Sequence, residues 1–275
     1  MSSTIDFYTG HPISTGIIET RLRAAHGGLD GLTAEDLFAH DQDHYGGLAA
    51  NEALAASAQI APGLDVVDFC AGLGGPARYF AFRYGVHVTG VELTPARVAG
   101  AQRLTALVGL GDQVRVIEGD VTACPLPDAS ADVVLSQEAF LHIPHKPDVL
   151  AEAFRLLRPG GRLAFTDWIA HAPPSAADMA LLKEGIAVVN LWSIPQYEAG
   201  LEAAGFDIER VEDLTADWAD ILRDRLAMFN GMRAEAEAAG TPPGEDAFYR
   251  AYVRFVSLVG DGVLGGARFA ARKPL

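Results

Sequence analysis

Residues 66–75 of the chain read VVDFCAGLGG, from Val66 through Asp68 near the end of an apolar run to the glycines at positions 72, 74 and 75. A short valine-rich run predicts a buried strand, and the glycines that follow it predict a tight turn. The next residues, PARYFAFRYG, predict a helix that begins at Pro76 and ends at Gly85. Where a strand is followed by a glycine turn and then a helix, the backbone of the turn can approach a ligand closely and the N–H groups at the start of the helix can face it.

The alternation of strands and helices continues beyond this unit. Strands are predicted at LDVVDF, VHVTGVEL, QVRVIEGD, ADVVLSQE and RLAFTDW, with helices such as TPARVAGAQRLTALVGL between them. A sixth strand, GFDIERVEDL, and a last one, VLGGARFAARKPL, are separated by a mainly helical stretch. This spacing implies parallel βαβ crossovers, so the sequence predicts a doubly wound α/β fold.

Three carboxylates close the first three predicted strands. Asp68, Glu92 and Asp120 are all expected at the edge of the sheet where open α/β folds bind ligands. Glu92 lies 20 residues after Gly72, where an acid can accept the hydroxyls of a ribose. Together the three acids indicate a crevice for a cationic nucleoside. Because Gly72-x-Gly74-x-x-Ala77 also fits a dinucleotide fingerprint, a nicotinamide-dependent oxidoreductase stays open as an alternative.

The run Asp68-x-x-x-Gly72-x-Gly74, with Glu92, Asp120 and the turn LLRPGG, resembles the class I S-adenosylmethionine-dependent methyltransferases. The segments DQDHYGGLAANEALA, FCAGLGGPARYFA and SQEAFLHIPHK are similar to small-molecule methyltransferases of the glycine, sarcosine and dimethylglycine type. The resemblance implies a seven-stranded Rossmann-like sheet with an antiparallel last strand, S-adenosylmethionine as cofactor and S-adenosylhomocysteine as product. The cofactor-binding residues that it implies are Asp68, Gly72, Gly74, Glu92, Leu93, Asp120, Val121, Gln137 and Tyr45.

The resemblance also implies a domain organisation. Residues 1–48 are expected to form an N-terminal helical lid over the cofactor, and residues 49–275 the methyltransferase domain. Helical cap insertions are expected around 175–204 and 215–260, with a break at Gly240-Thr-Pro-Pro-Gly244. Within the lid, Thr33 and Asp36 have the spacing of a capping box.

The reaction implied is in-line transfer of a methyl group to a small-molecule acceptor, most simply an amine nitrogen, with O- or C-methylation as alternatives. An amine must be neutral to attack, and a nearby base can take its proton. His142, four residues after Glu138, is the first candidate for acceptor positioning or proton removal. Glu138 is the second candidate, and Tyr45 is implied near the sulfonium. The alternatives are a histidine without a role and a structural acceptor at Glu138.

Aromatic residues are candidates for the walls of the acceptor site. Trp168 ends the fifth strand and Trp192 lies in the inserted helices, so both are predicted to contact the substrate together with His142. Cation–π contacts with Tyr45 or a tryptophan would suit an amine or the sulfonium. Ordinary core packing is the alternative, above all for Trp192.

Composition limits the other functions. The 275 residues carry 21 Lys+Arg against 36 Asp+Glu, a formal charge of −15, and 49% of them are hydrophobic. This hydrophobic content excludes a disordered chain, and the lack of basic clusters disfavours nucleic acid as a partner. A non-catalytic protein that only binds the nucleoside stays open as an alternative, and a monomer or homodimer is expected.

Location and metal binding are also predicted from composition. No run of about 18 apolar residues indicates a membrane span. The opening MSSTIDFYTG lacks a basic region, and two cysteines form no disulfide framework, so cytoplasmic residence is expected. His40, Asp41, Asp43 and His44 match no metal-ligand spacing, so no metal is expected.

Overall fold

The computed structural model describes residues 2–9, 13–240 and 246–275. The strands are β1 Asp65–Phe69, β2 His87–Glu92, β3 Val114–Glu118, β4 Ala131–Gln137, β5 Leu157–Ala170, β6 Asp207–Asp213 and β7 Leu264–Arg272. The helices are α1 Ser2–Thr9, α2 Thr15–His26, α3 Ala34–Phe38, α4 Gly47–Ala58, α5 Gly75–Tyr84, α6 Pro95–Leu107, α7 Lys146–Leu156, α8 Ala176–Ile186, α9 Ile194–Ala203, α10 Thr215–Ala238 and α11 Ala247–Gly260. A 3₁₀ turn, Phe140–His142, lies between β4 and α7.

The seven strands form one sheet in the order β3-β2-β1-β4-β5-β7-β6. Neighbouring strands from β3 to β5 are parallel, whereas β7 runs antiparallel to both β5 and β6. The predicted doubly wound, seven-stranded Rossmann-like sheet with an antiparallel last strand is therefore confirmed. The strand order reverses between β1 and β4, which is where sheets of this kind bind ligands.

The two faces of the sheet have separate hydrophobic cores. Val66 packs in a cluster with α4 and α5, whereas the next residue, Val67, packs in a cluster with α7 and α9. Successive side chains of a strand point to opposite faces. Asp68 therefore points to the same face as Val66, towards α4 and α5.

β5 is longer than the sequence predicts. It begins at Leu157 rather than at Arg162, because Ala131 of β4 pairs with Leu157 before the register shifts. The C-terminal tail bridges the intervening turn, since the Lys273 N–H donates to the Gly161 carbonyl at 2.8 Å. Contacts with a distant part of the chain thus extend this strand.

The N-terminal segment is helical, as predicted, and it is anchored by local signals. The Thr33 N–H donates to the Asp36 carboxylate at 2.7 Å, which confirms the capping box at the start of α3. The proposed lid boundary at residue 48 falls inside α4, which begins at Gly47. Since α4 packs on the sheet beside α5, it is part of the core.

The inserted helices cover the carboxyl end of β5. Phe255 of α11 stacks on Trp168 with 3.6 Å between ring centroids, and Trp218 of α10 meets the Tyr45 ring edge-on at 5.0 Å. The predicted break at Gly240 follows the end of α10, but residues 241–245 lie outside the described residues. No helix within the described ranges combines the length and apolarity needed to cross a bilayer.

Candidate active site

The glycine turn after β1 forms the floor of a crevice at the sheet edge. Gly72 and Gly74 have φ angles of +56° and +75°, which glycine adopts readily in a tight turn such as the one that the sequence predicts here. A Cβ at Gly72 would lie 3.0 Å from Nη1 of Arg97. The backbone conformation favours glycine there, and a Cβ would require the end of the Arg97 side chain to shift. Burial raises the pKa of the Cys70 thiol in this turn well above its usual value, so the thiol stays protonated.

Glu92 connects the glycine turn to the start of α6. One oxygen of its carboxylate accepts the Gly72 N–H at 3.0 Å, and the other accepts the Thr94 N–H at 2.8 Å. The side chain is buried. Because each carboxylate oxygen can accept a second hydrogen bond, Glu92 can hold the turn and still bind hydroxyl groups of a ligand.

Asp68 is a buried acid with an unsatisfied atom. Its Oδ2 has no hydrogen-bond partner among the described residues. Burial, with a smaller effect of the nearby Glu92 carboxylate, raises the pKa of Asp68 to about 7. A buried carboxylate without a partner is costly, so this position suits a cationic ligand that would supply both charge and donors.

Asp120 and its neighbours lie at the end of β3. Oδ1 of Asp120 accepts the Thr122 N–H at 2.8 Å and the Thr122 hydroxyl at 2.6 Å, so its carboxylate is fixed in one orientation. Val121 is buried and Leu93, after β2, is half-buried. These side chains give the far end of the crevice one polar and two apolar residues.

Gln137 closes the crevice on the β4 side. Its Nε2 donates to Oδ1 of the buried Asn51 at 2.9 Å. Its Oε1 is buried and has no hydrogen-bond partner within the described part of the chain. Gln137 thus presents an acceptor on the sheet face of Asp68. The sequence analysis placed both residues in one site but did not indicate which amide atom of Gln137 faces it.

Tyr45, Glu138 and Trp168 come together on the cap side. The Tyr45 N–H donates to both carboxylate oxygens of Glu138 at 3.0 Å, and its ring stacks parallel to Trp168 at 6.2 Å. Glu138 has a φ of +52°, a strained conformation for this residue type. Burial raises the pKa of Glu138 to about 8, although the Tyr45 hydrogen bond opposes the shift.

His142 meets a residue that the sequence did not indicate. The Tyr8 hydroxyl lies 2.7 Å from Nε2 of His142, and the Ala187 carbonyl lies 2.9 Å from Nδ1. Since a carbonyl only accepts, Nδ1 carries the proton and Nε2 of the neutral ring accepts from Tyr8. Arg97 lies over the Tyr8 ring at 4.6 Å, which places Tyr8 close to the glycine turn. No motif surrounds Tyr8, so only the tertiary contact reveals it.

The 3₁₀ turn that bears His142 rests on a buried ion pair, which sequence reasoning also missed. Lys146 Nζ lies 3.7 Å from Asp167 Oδ2 and donates to the carbonyl oxygens of Phe140 and Asn190. The other oxygen of Asp167 accepts the Leu141 N–H at 3.2 Å. Both charged groups are fully buried. The pair therefore fixes the backbone on either side of the His142 ring.

Trp192 lies on the opposite face of the sheet from Trp168. Its ring meets Tyr197 at 5.2 Å, and the Tyr197 hydroxyl donates to Asp167. Asp167 and Trp168 are consecutive in β5 and so point to opposite faces. Trp192 is therefore not brought together with the other predicted acceptor residues, and the packing favours the alternative of a core residue.

The polar segment at residues 40–44 uses its side chains within the protein. Asp41 pairs with Arg78, and Arg97 Nη2 lies 3.4 Å from Asp43 Oδ2. His44 faces the Gly47 carbonyl at 3.0 Å, and burial lowers the pKa of His44 to about 4. These contacts tie the segment to α4, α5 and α6.

Known proteins share both the sequence and the fold. A family model described as a methyltransferase domain matches residues 67–165. The chain is 32% identical over 228 residues to the 27-O-demethylrifamycin SV methyltransferase of Amycolatopsis mediterranei, an alignment that covers 80% of this chain and 81% of that protein. It is 33% identical over 168 residues to a sterol 24-C-methyltransferase of Yarrowia lipolytica, covering 59% of this chain but only 44% of that relative's length.

A solved structure agrees with this assignment at the level of the fold. The phosphoethanolamine N-methyltransferase 2 of Haemonchus contortus, in complex with S-adenosyl-L-methionine, superposes with a TM-score of 0.73 at 23% identity. That superposition covers 94% of this chain and 60% of the other. The sheet order, the glycine turn with its edge carboxylates and the long alignment with the rifamycin enzyme agree: the chain belongs to the S-adenosylmethionine-dependent methyltransferase family.

Proposed function

We propose that this chain transfers a methyl group from S-adenosylmethionine to the nitrogen of a small-molecule amine by in-line displacement. The observation that carries the proposal is the buried Asp68 Oδ2 at the strand edge beside the glycine turn, an atom with no hydrogen-bond partner in residues 2–9, 13–240 and 246–275. The cofactor supplies an α-ammonium group and an electrophilic methyl on a sulfonium. A site with carboxylates at three neighbouring strand ends suits such a cation and would repel the pyrophosphate of a nicotinamide dinucleotide.

The cofactor would lie along the crevice from β4 to β3. Asp68 and Gln137 would accept from the α-ammonium, and Glu92 would accept from the ribose hydroxyls. Asp120 would accept from the adenine amino group, with Leu93 and Val121 as the apolar contacts of the ring. Gly72 and Gly74 would allow the backbone to approach the ligand.

Tyr8 and His142 form the proton path in this proposal. Burial raises the pKa of Tyr8, so its hydroxyl keeps its proton until a partner takes it. When the acceptor nitrogen gives a proton to the Tyr8 oxygen, the Tyr8 proton moves to Nε2 of His142, 2.7 Å away. Such a path suits a nitrogen or oxygen acceptor, because the acceptor atom loses its own proton directly to the Tyr8 oxygen as the methyl group is transferred.

Nitrogen is favoured over oxygen by the surroundings of Glu138. This half-buried acid lies between the Tyr45 backbone and the end of β4, and the Tyr45 and Trp168 rings stack nearby. An amine that arrives as an ammonium ion would stabilise the ionised form of Glu138 before it loses its proton, which a hydroxyl acceptor would not do. We propose Tyr45, Glu138, His142 and Trp168 as the acceptor side of the site, with Tyr45 also near the sulfonium.

O-methylation is the second candidate. The Amycolatopsis mediterranei relative is named as a methyltransferase of 27-O-demethylrifamycin SV, and it is matched over 81% of its length. The Tyr8–His142 pair would serve a hydroxyl acceptor equally well. The acceptor atom must therefore be decided by experiment.

The residues before α4 would act as a lid in this proposal. Tyr8, Asp41 and Tyr45 all reach the sheet edge from this part of the chain. A lid would exclude water from the methyl group and orient the acceptor. The proposal assigns residues 1–48 to this role, apart from the start of α4.

A panel of acceptors tests the proposed function. Primary amines and alcohols with identical carbon skeletons, together with phenols, are incubated with S-adenosylmethionine, and S-adenosylhomocysteine formation is measured. We expect turnover of amines and little turnover of the matched alcohols. Turnover confined to alcohols or phenols would instead establish the O-methyltransferase, and binding of S-adenosylhomocysteine without turnover of any acceptor would favour a non-catalytic role.

A further inference from the structure

A row of amide groups, of which Asn51 is fully buried and Gln137 and Gln42 are half-buried, runs from Gln137 into the N-terminal segment. Gln137 Nε2 donates to Asn51 Oδ1 at 2.9 Å, and Asn51 Nδ2 donates to Gln42 Oε1 at 2.7 Å. Gln42 Nε2 then donates to Asp41 Oδ1 at 2.6 Å. Every hydrogen bond in this row is donated towards Asp41.

A buried cation holds the far end of the row. Oδ2 of Asp41 accepts from Nε and Nη2 of Arg78 at 3.2 Å and 2.8 Å. Asp41 and Arg78 are 3% and 0% exposed. Arg78 is fixed in turn by the Thr105 hydroxyl at 3.2 Å. This buried ion pair holds the Asp41 carboxylate in place.

The carboxylate of Asp41 determines the orientation of all three amides. A carboxylate only accepts, so Gln42 must turn its NH₂ group towards Asp41 and its oxygen towards Asn51. The same logic turns the NH₂ of Asn51 to Gln42 and the NH₂ of Gln137 to Asn51. Gln137 is left with its oxygen facing the crevice, where that atom has no partner among the described residues.

The free oxygen of Gln137 lies on the same sheet face as Asp68. Asp68 pairs in register with Leu135, and Gln137 follows two residues later in β4, so the two side chains share a face. Oδ2 of Asp68 and Oγ1 of Thr166, which pairs with Gln137, are also buried without partners in the described ranges. An ammonium group, with three N–H donors and no acceptor, matches two acceptors and a hydroxyl.

We propose that Asp41, Gln42 and Asn51 are positioning residues that make Gln137 present an acceptor, and not a donor, to the α-ammonium of the cofactor. The proposal rests on the proposed function, since it requires the cofactor's amino group to lie beside Asp68 and Gln137. Reversal of the row would place the Gln137 NH₂ against the ammonium and weaken binding.

The isosteric change Asp41→Asn tests the polarity of the row. An asparagine there would keep its oxygen on Arg78 and turn its NH₂ to Gln42, so all three amides would flip. The measurement compares the Kd of S-adenosylhomocysteine with that of 5′-methylthioadenosine, which has the nucleoside and thioether but no amino-acid part. We expect Asp41→Asn to lower the preference for S-adenosylhomocysteine about tenfold and to leave 5′-methylthioadenosine binding unchanged.

Two further variants keep the test decisive. Asp41→Asn combined with Gln137→Glu should recover the preference for S-adenosylhomocysteine. The flipped Asn51 would donate to one oxygen of the carboxylate introduced at position 137, and the other oxygen of that carboxylate would face the ammonium. If Asp41→Asn does not fold, Asn51→Leu breaks the row without touching the ion pair and should lower the preference about fivefold.

The possible outcomes separate this proposal from the proposed function. An unchanged preference in Asp41→Asn and in Asn51→Leu, or an equal loss of both ligands, would overturn the role of the row. Equal affinity of the unmodified protein for the two ligands would overturn the placement of the ammonium at Gln137. Failure of the unmodified protein to bind either ligand would overturn the proposed function itself.

Discussion

The hydroxyl of Tyr8 and Nε2 of His142 are 2.7 Å apart although 134 positions separate the two residues in sequence. Tyr8 comes from the first helix, and His142 from the turn after β4. The contact closes the N-terminal segment over the edge of the sheet. It also joins a neutral phenol to a ring nitrogen that can take its proton.

Replacement of Tyr8 tests the proton path. Tyr8→Phe keeps the ring over Arg97 and removes only the hydroxyl. Because positioned acid–base groups contribute about 100-fold or more to rate, we expect kcat to fall about 100-fold. The Kd of S-adenosylhomocysteine should stay within about twofold, since the ring contact is retained. Initial rates measured from pH 6 to pH 9 give the effect and its pH dependence.

Tyr249→Phe is the matched control. Its hydroxyl donates to Oδ1 of Asn230 at 2.6 Å in the exposed part of the cap. This variant should turn over at the rate of the unmodified protein. If Tyr8→Phe also keeps that rate, Tyr8 has no part in proton transfer.

Ligand binding is expected to release protons from Asp68. Burial raises the pKa of Asp68 to about 7, so near neutral pH a large fraction of the free protein carries a neutral carboxyl. A cation beside it favours the ionised form, and binding must expel the proton. Calorimetric titration with S-adenosylhomocysteine at pH 7, in two buffers of different ionisation heat, measures the release. Asp68→Asn should weaken S-adenosylhomocysteine binding and abolish the proton release that comes from the Asp68 carboxyl. Equal proton release from the variant and the unmodified protein would contradict the placement of the ligand's ammonium at Asp68.

The same carboxyl makes the stability of the free protein depend on pH. The pKa of Asp68 is raised in the folded chain from its ordinary value of 3.8 to about 7. The contribution of this group to folding stability is therefore fully present below pH 3.8 and is lost as the pH rises through about 7. Asp68→Asn, which cannot ionise, should therefore gain stability relative to the unmodified protein between pH 5 and pH 8. Urea unfolding across this range measures the difference. A constant difference would mean that the pKa is not raised.

The buried pair of Lys146 and Asp167 is expected to be needed for folding stability. Lys146→Met leaves Asp167 without its cation in a fully buried position, and such changes cost about 3 kcal/mol or more. Burial already raises the pKa of Asp167, so the carboxyl should become protonated in the variant. Denaturant unfolding measures the loss. Arg223→Met, which removes an exposed pair with Asp220, is the control and should change the unfolding free energy by less than about 1 kcal/mol.

Two tryptophan variants separate the acceptor side from the core. Trp168→Ala removes a ring stacked on Tyr45 and Phe255, and we expect the KM of the amine acceptor to rise about tenfold. Trp192→Ala removes a ring packed on Tyr197 on the other face, so it should lower stability by about 2 kcal/mol or more. Its acceptor KM should not change. A raised KM in Trp192→Ala alone would return that residue to the acceptor site.

Much of the fold was predictable because its signals are local. The valine-rich runs, the proline at the start of α5 and the Thr33–Asp36 box act within a few residues of one another. The edge carboxylates Asp68, Glu92 and Asp120 followed from the rule that parallel strands end at one edge. Cytoplasmic residence and a monomer or homodimer stay predictions.

The site on the acceptor side was less predictable because its contacts join distant segments. His142 and Glu138 were identified by their position after β4, but no motif surrounds Tyr8. Asp41, Gln42 and Asn51 lie in a segment that resembles the family, but their hydrogen bonds to one another and to Gln137 do not follow from that segment. Trp192 was grouped with Trp168 because both are aromatic residues near the predicted acceptor site, one at the end of the fifth strand and one in the inserted helices. The side of the sheet on which each ring lies depends on the alternation of β5 and the path of the chain after it.

The sequence by itself determined the α/β architecture, the glycine turn and the set of acids at the strand ends, because hydrophobic periodicity and turn chemistry act over a few residues. Only the tertiary structure decided which atoms of those acids and amides are left without partners. That outcome depends on packing: a carboxylate at position 41 fixes an amide at position 137 through two other side chains. No spacing in the sequence records such a relationship, since its members are brought together only when the N-terminal segment closes on the sheet.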